Sequence, residues 1–267
     1  MRTMNGGGGK RSRRHGGTGR WGRLAHRFLA AACAWGALAA PAGVHAGPAP
    51  EQEAIAALPL IELPAASQSD ILAIILSGDG GWADLDKTFG EAFQQRGIAT
   101  VGFDCLKYFW KERNPAEMSQ ALDTVIRHYL HTWQKKRVLL VGFSFGACWL
   151  PFLANRLPGD LLAQVQLCVL LGPGAFVNVE IHVMDWMKDE RRDGALEVLP
   201  EAARLTGPVL CVYGTEEDGA ICPALKGSNV TILPMPGDHH YNYRYDPVIE
   251  AIFREMDAVR KRAPLAR

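Results

Sequence analysis

The stretch from Val138 to Ala147, reading Val-Leu-Leu-Val-Gly-Phe-Ser-Phe-Gly-Ala, constrains this chain more than any other. An apolar run of strand length stops at Gly-x-Ser-x-Gly, and a helical pattern follows at once. That is the strand–turn–helix setting of a nucleophile elbow. A serine on so tight a turn forces the backbone close to its neighbours, and glycines at 142 and 146 remove the Cβ atoms that would collide there. The turn lifts the Ser144 hydroxyl to the carboxyl edge of a sheet and frees the Phe145 N–H to face a developing oxyanion. The plain alternative is an ordinary strand-to-helix turn, because loops collect Gly and Ser.

The rest of the chain supplies the surroundings that an elbow needs. Ile71–Leu76, Ile98–Phe103, Val165–Leu171, Val209–Tyr213 and Val230–Leu233 are apolar runs of strand length. Continuous apolar runs suit strands buried on both faces. Helical patterns span Asp84–Arg96, Pro115–Trp133, Ala147–Asn155, where Pro151 should limit or bend the helix, and Asp246–Arg260. Strands alternating with helices predict an α/β fold, a mostly parallel sheet with helices on both faces. The domain is expected over 70–267, after a leader and edge segment at 47–69 in which Leu58–Leu63 is a short edge strand. Phe176–Met184 alternates and reads as a strand of an insertion. Ligands on such sheets bind outside the carboxyl ends of the strands.

A serine needs a base, and the base needs an orienting acid, in the chain order Ser, acid, His for this architecture. Glu216, Glu217 and Asp218 follow the Val209–Tyr213 strand; His239 and His240 follow the last one. Asp218 is the first choice of acid, since a short side chain holds an imidazole closely, with Glu217 and Glu216 as alternates. His239, directly after Pro236-Gly237-Asp238, is the first choice of base, with His240 as alternate. His128, His131 and His182 lack such a setting. The second oxyanion donor is expected from Asp79 or Gly80 in Ser77-Gly78-Asp79-Gly80-Gly81, beside the Phe145 N–H. That loop fits neither G-x-G-x-x-G nor the P-loop pattern, which argues against nucleotide binding. The chemistry calls for no metal and no organic cofactor.

Charge is unevenly placed. Residues 1–46 carry eight Lys/Arg and no Asp or Glu, which leaves 21 basic against 28 acidic side chains, a formal −7, for the remainder. Such a body does not bind nucleic acid through phosphate neutralisation. The basic stretch, the apolar run Phe28–Ala40, the break at Pro41 and Gly43, and Val44-His45-Ala46 read as a signal peptide cleaved after Ala46, hence a periplasmic protein. A retained anchor is the alternative, but the run is only about 13 residues, short of a span. Cysteines at 105, 148, 168, 211 and 222 remain after cleavage. They match no zinc template, and Cys211 and Cys222 flank one loop and could pair.

Ser77-Gly-Asp-Gly-Gly-Trp82, Asp104-Cys-Leu-Lys-Tyr-Phe-Trp110, Gly142-Phe-Ser-Phe-Gly-Ala147 and Gly237-Asp-His-His240 together resemble the bacterial virulence protein VirJ/AcvB family over about 70–255. The resemblance implies an α/β-hydrolase fold and a periplasmic protein. AcvB-like members imply hydrolysis of aminoacylated phosphatidylglycerol, removing lysine from the headgroup; VirJ-like members imply secretion-system proteins as partners. Cys105 stands where the family leads one to expect serine, and longer members carry a further N-terminal domain. A lysyl ester is cationic, which matches Asp79, Asp84, Asp86 and Asp104 on strand-end loops. Trp82, Asp104, Tyr108 and Tyr241 are the expected substrate contacts. Trp82, Tyr108, Phe109, Trp110, Trp149 and Tyr241 could meet lipid in a transient membrane-surface contact. The resulting expectation is a serine hydrolase cleaving a carboxylic ester, with lysyl-phosphatidylglycerol as leading substrate. A non-catalytic chaperone or adaptor linked to type IV secretion, and a general carboxylesterase or lipase, are the alternatives.

Overall fold

The computed structural model describes residues 50–65, 69–182 and 191–262. The signal peptide expected at 1–46 lies outside them, as does the end of the Phe176–Met184 segment. The strands are β1 (Leu60–Leu63), β2 (Ile71–Leu76), β3 (Ala99–Phe103), β4 (Arg137–Phe143), β5 (Val165–Leu171), β6 (Phe176–Val177), β7 (Leu196–Glu197), β8 (Val209–Gly214) and β9 (Val230–Met235), and the first five helices are α1 (Pro50–Ala56), α2 (Asp84–Gln95), α3 (Cys105–Tyr108), α4 (Pro115–Thr132) and α5 (Phe145–Ala154). Seven of them form one sheet in the order β1-β3-β2-β4-β5-β8-β9, parallel except for β1.

The alternation of side chains along a strand explains the two-layer core. In β2, Leu72, Ile74 and Leu76 enter one core layer, while Ile71, Ala73 and Ile75 enter the other. The first layer holds Leu122 and Ile126 of α4 (Pro115–Thr132) and Trp149 of α5 (Phe145–Ala154). The second holds Phe89 and Phe93 of α2 (Asp84–Gln95) and Val248, Ile252 and Met256 of the last helix, Asp246–Arg262. All six residues of β2 are buried, which is why its sequence is an unbroken apolar run.

Three elements differ from the sequence reading. The leader is not irregular throughout: Pro50–Ala56 is a helix, tied to α4 by His128 Nδ1 and Glu51 Oε1 at 2.9 Å. β1 pairs antiparallel with β3, and Tyr129 donates from its hydroxyl to Glu62 Oε1 at 2.6 Å, so this segment covers a sheet edge. Second, α5 begins at Phe145 rather than Ala147 and passes through Pro151 to Ala154, with the Asn155 N–H still bonded to the Pro151 carbonyl. Third, of the strand expected over 176–184, only Phe176–Val177 is strand among the described residues, paired with β7; the Ile181 N–H bonds instead to the Phe109 carbonyl. Among the described residues, no helix is long and apolar enough to cross a membrane.

Cys211 of β8 and Cys222 form a disulfide with Cα atoms 5.5 Å apart. Cys105, Cys148 and Cys168 are buried thiols. The bridge closes a short loop containing all three acid candidates.

Candidate active site

The site is built on the elbow between β4 and α5. A Cβ on Gly142 would lie 2.5 Å from the Gly146 carbonyl oxygen, and one on Gly146 would lie 2.4 Å from that of Leu76. Only glycine lets these backbones touch. Between them Ser144 has φ 53° and ψ −115°, a region costly for any residue with a side chain and characteristic of functional turns. Its N–H donates to the Leu171 carbonyl at 2.8 Å, and its carbonyl accepts from the Cys148 N–H at 2.9 Å. The backbone is therefore held at both sides, and the hydroxyl makes no capping bond to the helix it precedes.

β8 and β9 bring up the partners. His239 Nδ1 lies 2.6 Å from Glu217 Oε1. The other carboxylate oxygen, Glu217 Oε2, accepts from the Gly214 N–H at 3.2 Å, while the Glu217 N–H donates to the Gly214 carbonyl at 3.0 Å. The acid is thus pinned to the end of β8 and only 8% exposed. Here the structure corrects the sequence reading: Glu217, not Asp218, holds the imidazole. Asp218 and Glu216 line the same cavity without that bond. The reason is local packing. A Cβ on Gly214 would sit 2.1 Å from the Asp238 carbonyl oxygen, so the histidine loop lies directly on the strand end, within reach of the tight turn that carries Glu217.

His239 also needs room. Gly172, at φ +59°, faces it so closely that a Cβ would stand 2.8 Å from Cε1 and 2.9 Å from Nδ1. The imidazole packs over Phe143, ring centres 5.1 Å apart. With Nδ1 given to Glu217, Nε2 is the ring nitrogen the acid does not occupy, and His239 lines the same cavity as Ser144. The alternate, His240, does not take this place: its ring stacks on Tyr243 and its N–H donates to Asp238 Oδ1 at 2.9 Å. Burial, then the neighbouring His239, lowers its pKa.

Phe145 is the first residue of α5, so its N–H has no acceptor within the helix. The opposite loop passes close by, since a Cβ on Gly78 would be 3.6 Å from Ser144 Cβ. Asp79 lines the cavity with Phe145, whereas Gly80 is exposed and stands outside it. The loop closes through the Gly81 N–H to the Gly78 carbonyl at 3.1 Å, which turns residue 80 outward.

The expected substrate contacts are corrected as well. The Trp82 ring covers Gly90 and Gly102, where added Cβ atoms would meet it at 3.3 and 2.3 Å. Asp104 is 4% exposed, accepts from the Lys107 N–H and pairs with Lys107 Nζ at 2.9 Å. Tyr108 is wedged edge-on against Phe103 and Phe109. Tyr241 is 1% exposed, with its hydroxyl directed at the Val212 carbonyl. Tyr108 and Tyr241 are packed into the protein body and Trp82 lies partly buried against it, because large rings near a sheet edge gain more from burial than from a solvated wall; Asp104 is taken up by Lys107.

The walls come from elsewhere. A cavity of about 720 Å³ joins Ser144, His239 and Glu217 and is lined by Phe145, Cys148, Phe176, Val177, Asn178 and Ile181. The segment after β5, read in sequence only as an insertion, thus builds the pocket. Its position past Gly172-Pro173-Gly174 at a strand's carboxyl end was the available signal. Asp79, Glu216, Glu217, Asp218 and Asp238 also line the cavity, with no Lys or Arg among the described residues that do. Asp84, Asp86 and Asp104 do not take part.

A family model described as bacterial virulence protein (VirJ) matches residues 70–261. No curated protein shows a significant match. Among solved structures, the ferulic acid complex of Est1E from Butyrivibrio proteoclasticus superposes with TM-score 0.58 at 17% identity, over 77% of this chain and 96% of that one. The Pyrococcus furiosus esterase Pf2001 gives 0.53 at 14%, over 80% and 96%. MenH from S. aureus gives 0.55 at 11%, over 75% and 98%. At these identities the likeness establishes the α/β-hydrolase fold.

Proposed function

The chain belongs to the bacterial virulence protein VirJ family, and on that premise we propose that it is a serine hydrolase of carboxylic esters, acting on aminoacyl-phosphatidylglycerol, the lysyl form first. The observation that carries this reading is the 2.6 Å contact between His239 Nδ1 and Glu217 Oε1 in the cavity that Ser144 enters from its strained turn. A structural turn has no need of an oriented imidazole beside it.

Ser144 Oγ attacks the aminoacyl carbonyl while His239 Nε2 takes its proton. Glu217 stabilises the imidazolium and keeps the ring turned. The Phe145 N–H and the backbone at Asp79 face the oxyanion of the tetrahedral intermediate. Its collapse expels the glycerol oxygen of the lipid, which leaves with the proton from His239, and the aminoacyl group stays on Ser144. Water, deprotonated by the same histidine, then attacks the acyl-enzyme and releases the amino acid. The carboxylates around the cavity favour an acyl group with ammonium charges. The Cys211–Cys222 disulfide suits an oxidising compartment such as the periplasm.

The test incubates the protein and its Ser144→Ala variant with lysyl-phosphatidylglycerol and with p-nitrophenyl esters. Lysine release by the wild type alone is expected. Equal inertness of both proteins on both substrates would overturn the hydrolase reading and favour a non-catalytic adaptor. Turnover of simple esters alone would make it a general carboxylesterase.

A further inference from the structure

Trp110 is 56% exposed, although the residue before it, Phe109, is fully buried. Phe109 takes the core seat, its ring centre 4.9 Å from that of Phe145 and 4.5 Å from that of Trp149. The chain turns there, so the adjacent indole is left outside. Around it lies a cleft of about 550 Å³ lined by Leu106, Lys107, Tyr108, Trp110, Lys111 and Arg113, with no carboxylate among them. Lys107 is 72% exposed, and Arg113 lies 4.5 Å over the Tyr108 ring and donates from Nε to the Tyr108 carbonyl at 3.2 Å. Between residues 105 and 113 the only carboxylate is Glu112; Asp104, paired with Lys107, is buried.

We propose that Trp110, with Lys107, Lys111 and Arg113, is a docking surface for a bilayer rich in anionic phospholipid. An indole is most stable at the headgroup level, with its ring among the upper acyl chains and its N–H wet. Lysine and arginine beside it gain from the negative surface potential of anionic lipid. The contrast with the rest of the body gives the surface its direction. Residues 47–267 carry 21 basic against 28 acidic side chains, so the basic cleft is drawn to such a bilayer while the body as a whole is repelled.

The location ties the surface to the pocket. The Arg113 N–H donates to the Val179 carbonyl, and the Ile181 N–H donates to the Phe109 carbonyl, both at 2.9 Å. Segment 109–113 is thereby stitched to the 177–181 wall of the catalytic cavity. A bilayer held by Trp110 meets the protein beside the cavity mouth. Only the claim that a docked lipid is then cleaved rests on the hydrolase reading.

The experiment uses protein recovered after export and measures co-sedimentation with vesicles of phosphatidylcholine alone or mixed with phosphatidylglycerol. Wild type and Ser144→Ala should bind the mixed vesicles alike, and the neutral ones weakly. Trp110→Ala combined with Lys111→Glu should weaken binding by about 25-fold or more, since each charge near the surface contributes roughly fivefold and the lysine-to-glutamate change alters two. Turnover of p-nitrophenyl ester should be unchanged in this variant, which also shows that it folds; Lys111→Glu alone, at an exposed position, provides a second check. Equal binding to both vesicle types, or mixed-vesicle binding indifferent to the substitutions, overturns the proposal. Capture of soluble polyglutamate in place of vesicles overturns it too and assigns the surface to an acidic protein. Wild-type inertness on both lysyl-phosphatidylglycerol and p-nitrophenyl ester, with vesicle binding intact, would sink the hydrolase reading and leave the docking surface standing.

Discussion

Glu217 grips the end of β8 with one carboxylate oxygen, at the Gly214 N–H, and holds His239 Nδ1 with the other at 2.6 Å. One side chain therefore fixes the relation between two loops that arrive from different strands. Replacing it by glutamine keeps the shape but lets the amide stabilise the wrong imidazole tautomer. Glu217→Gln should lower kcat by about 10³–10⁴, whereas Asp218→Asn stays within about threefold. Steady-state kinetics on a soluble ester would distinguish the two acids, and equal losses would refute the assignment.

Gly172 tests the imidazole's room separately from its partner. An added methyl group would stand 2.8 Å from His239 Cε1 at a backbone φ of +59°. Gly172→Ala should displace the ring and reduce kcat far more than its stability loss of about 1–3 kcal/mol would explain. Urea unfolding alongside kinetics separates the two effects.

The Cys211–Cys222 bridge encloses Glu217 in a loop of sequence separation 11. Closing a loop of that size stabilises a fold by about 3 kcal/mol on the chain-entropy account. Cys211→Ser with Cys222→Ser should lower the unfolding midpoint by a corresponding amount. Ester turnover should fall as well, because the acid's loop is then free to move. A variant that loses stability but keeps full kcat would show that β8 alone positions the acid.

Asp86 bears on pH dependence. It is 1% exposed; Oδ2 accepts from the Ala83 N–H at 3.1 Å, and Oδ1 is buried without a partner. Burial first, and then the charge of Asp104, push its carboxyl up from 3.8 to about 7. The folded protein thus keeps a proton that the unfolded chain releases. The stabilisation is complete below pH 3.8 and is lost as pH rises through about 7. The loss is on the order of 4 kcal/mol. Asp86→Asn should flatten this slope, which denaturant midpoints taken near pH 5 and near pH 8 would reveal. Parallel pH profiles for the two proteins would contradict it.

The ring of carboxylates predicts substrate charge. Asp79→Asn with Glu216→Gln should raise KM for a lysyl ester about fivefold, leaving a neutral ester within about twofold. Matching shifts on both esters would mean that these side chains shape the cavity and do not select charge.

Much of this was readable in one dimension. Inner strands such as Ile71–Leu76 announce themselves because burial on both faces demands an unbroken apolar run. The elbow is legible because no residue but glycine survives contacts of 2.4–2.5 Å at 142 and 146. Helix α4 is marked by Asn114 and Glu117, which close a capping box, with Pro115 at its first position. The rings were misjudged for the opposite reason. Trp82, Tyr108 and Tyr241 follow strand ends, and their burial depends on contacts that no periodicity records: Trp82 on Gly90 and Gly102, Tyr108 between Phe103 and Phe109, and Tyr241 on the Val212 carbonyl.

The sequence alone determined the fold class, the elbow that presents Ser144 and the chain order of the acid and histidine loops after it, since these follow from local steric limits and hydrophobic periodicity. Which carboxylate serves His239, which residues wall the cavity, and why Phe109 is buried while Trp110 is not were decided by tertiary structure. Each depends on how closely separate loops approach. That distance is set by packing between segments remote in sequence, such as Gly214 against Asp238 and Phe109 against Trp149, where no local pattern records it.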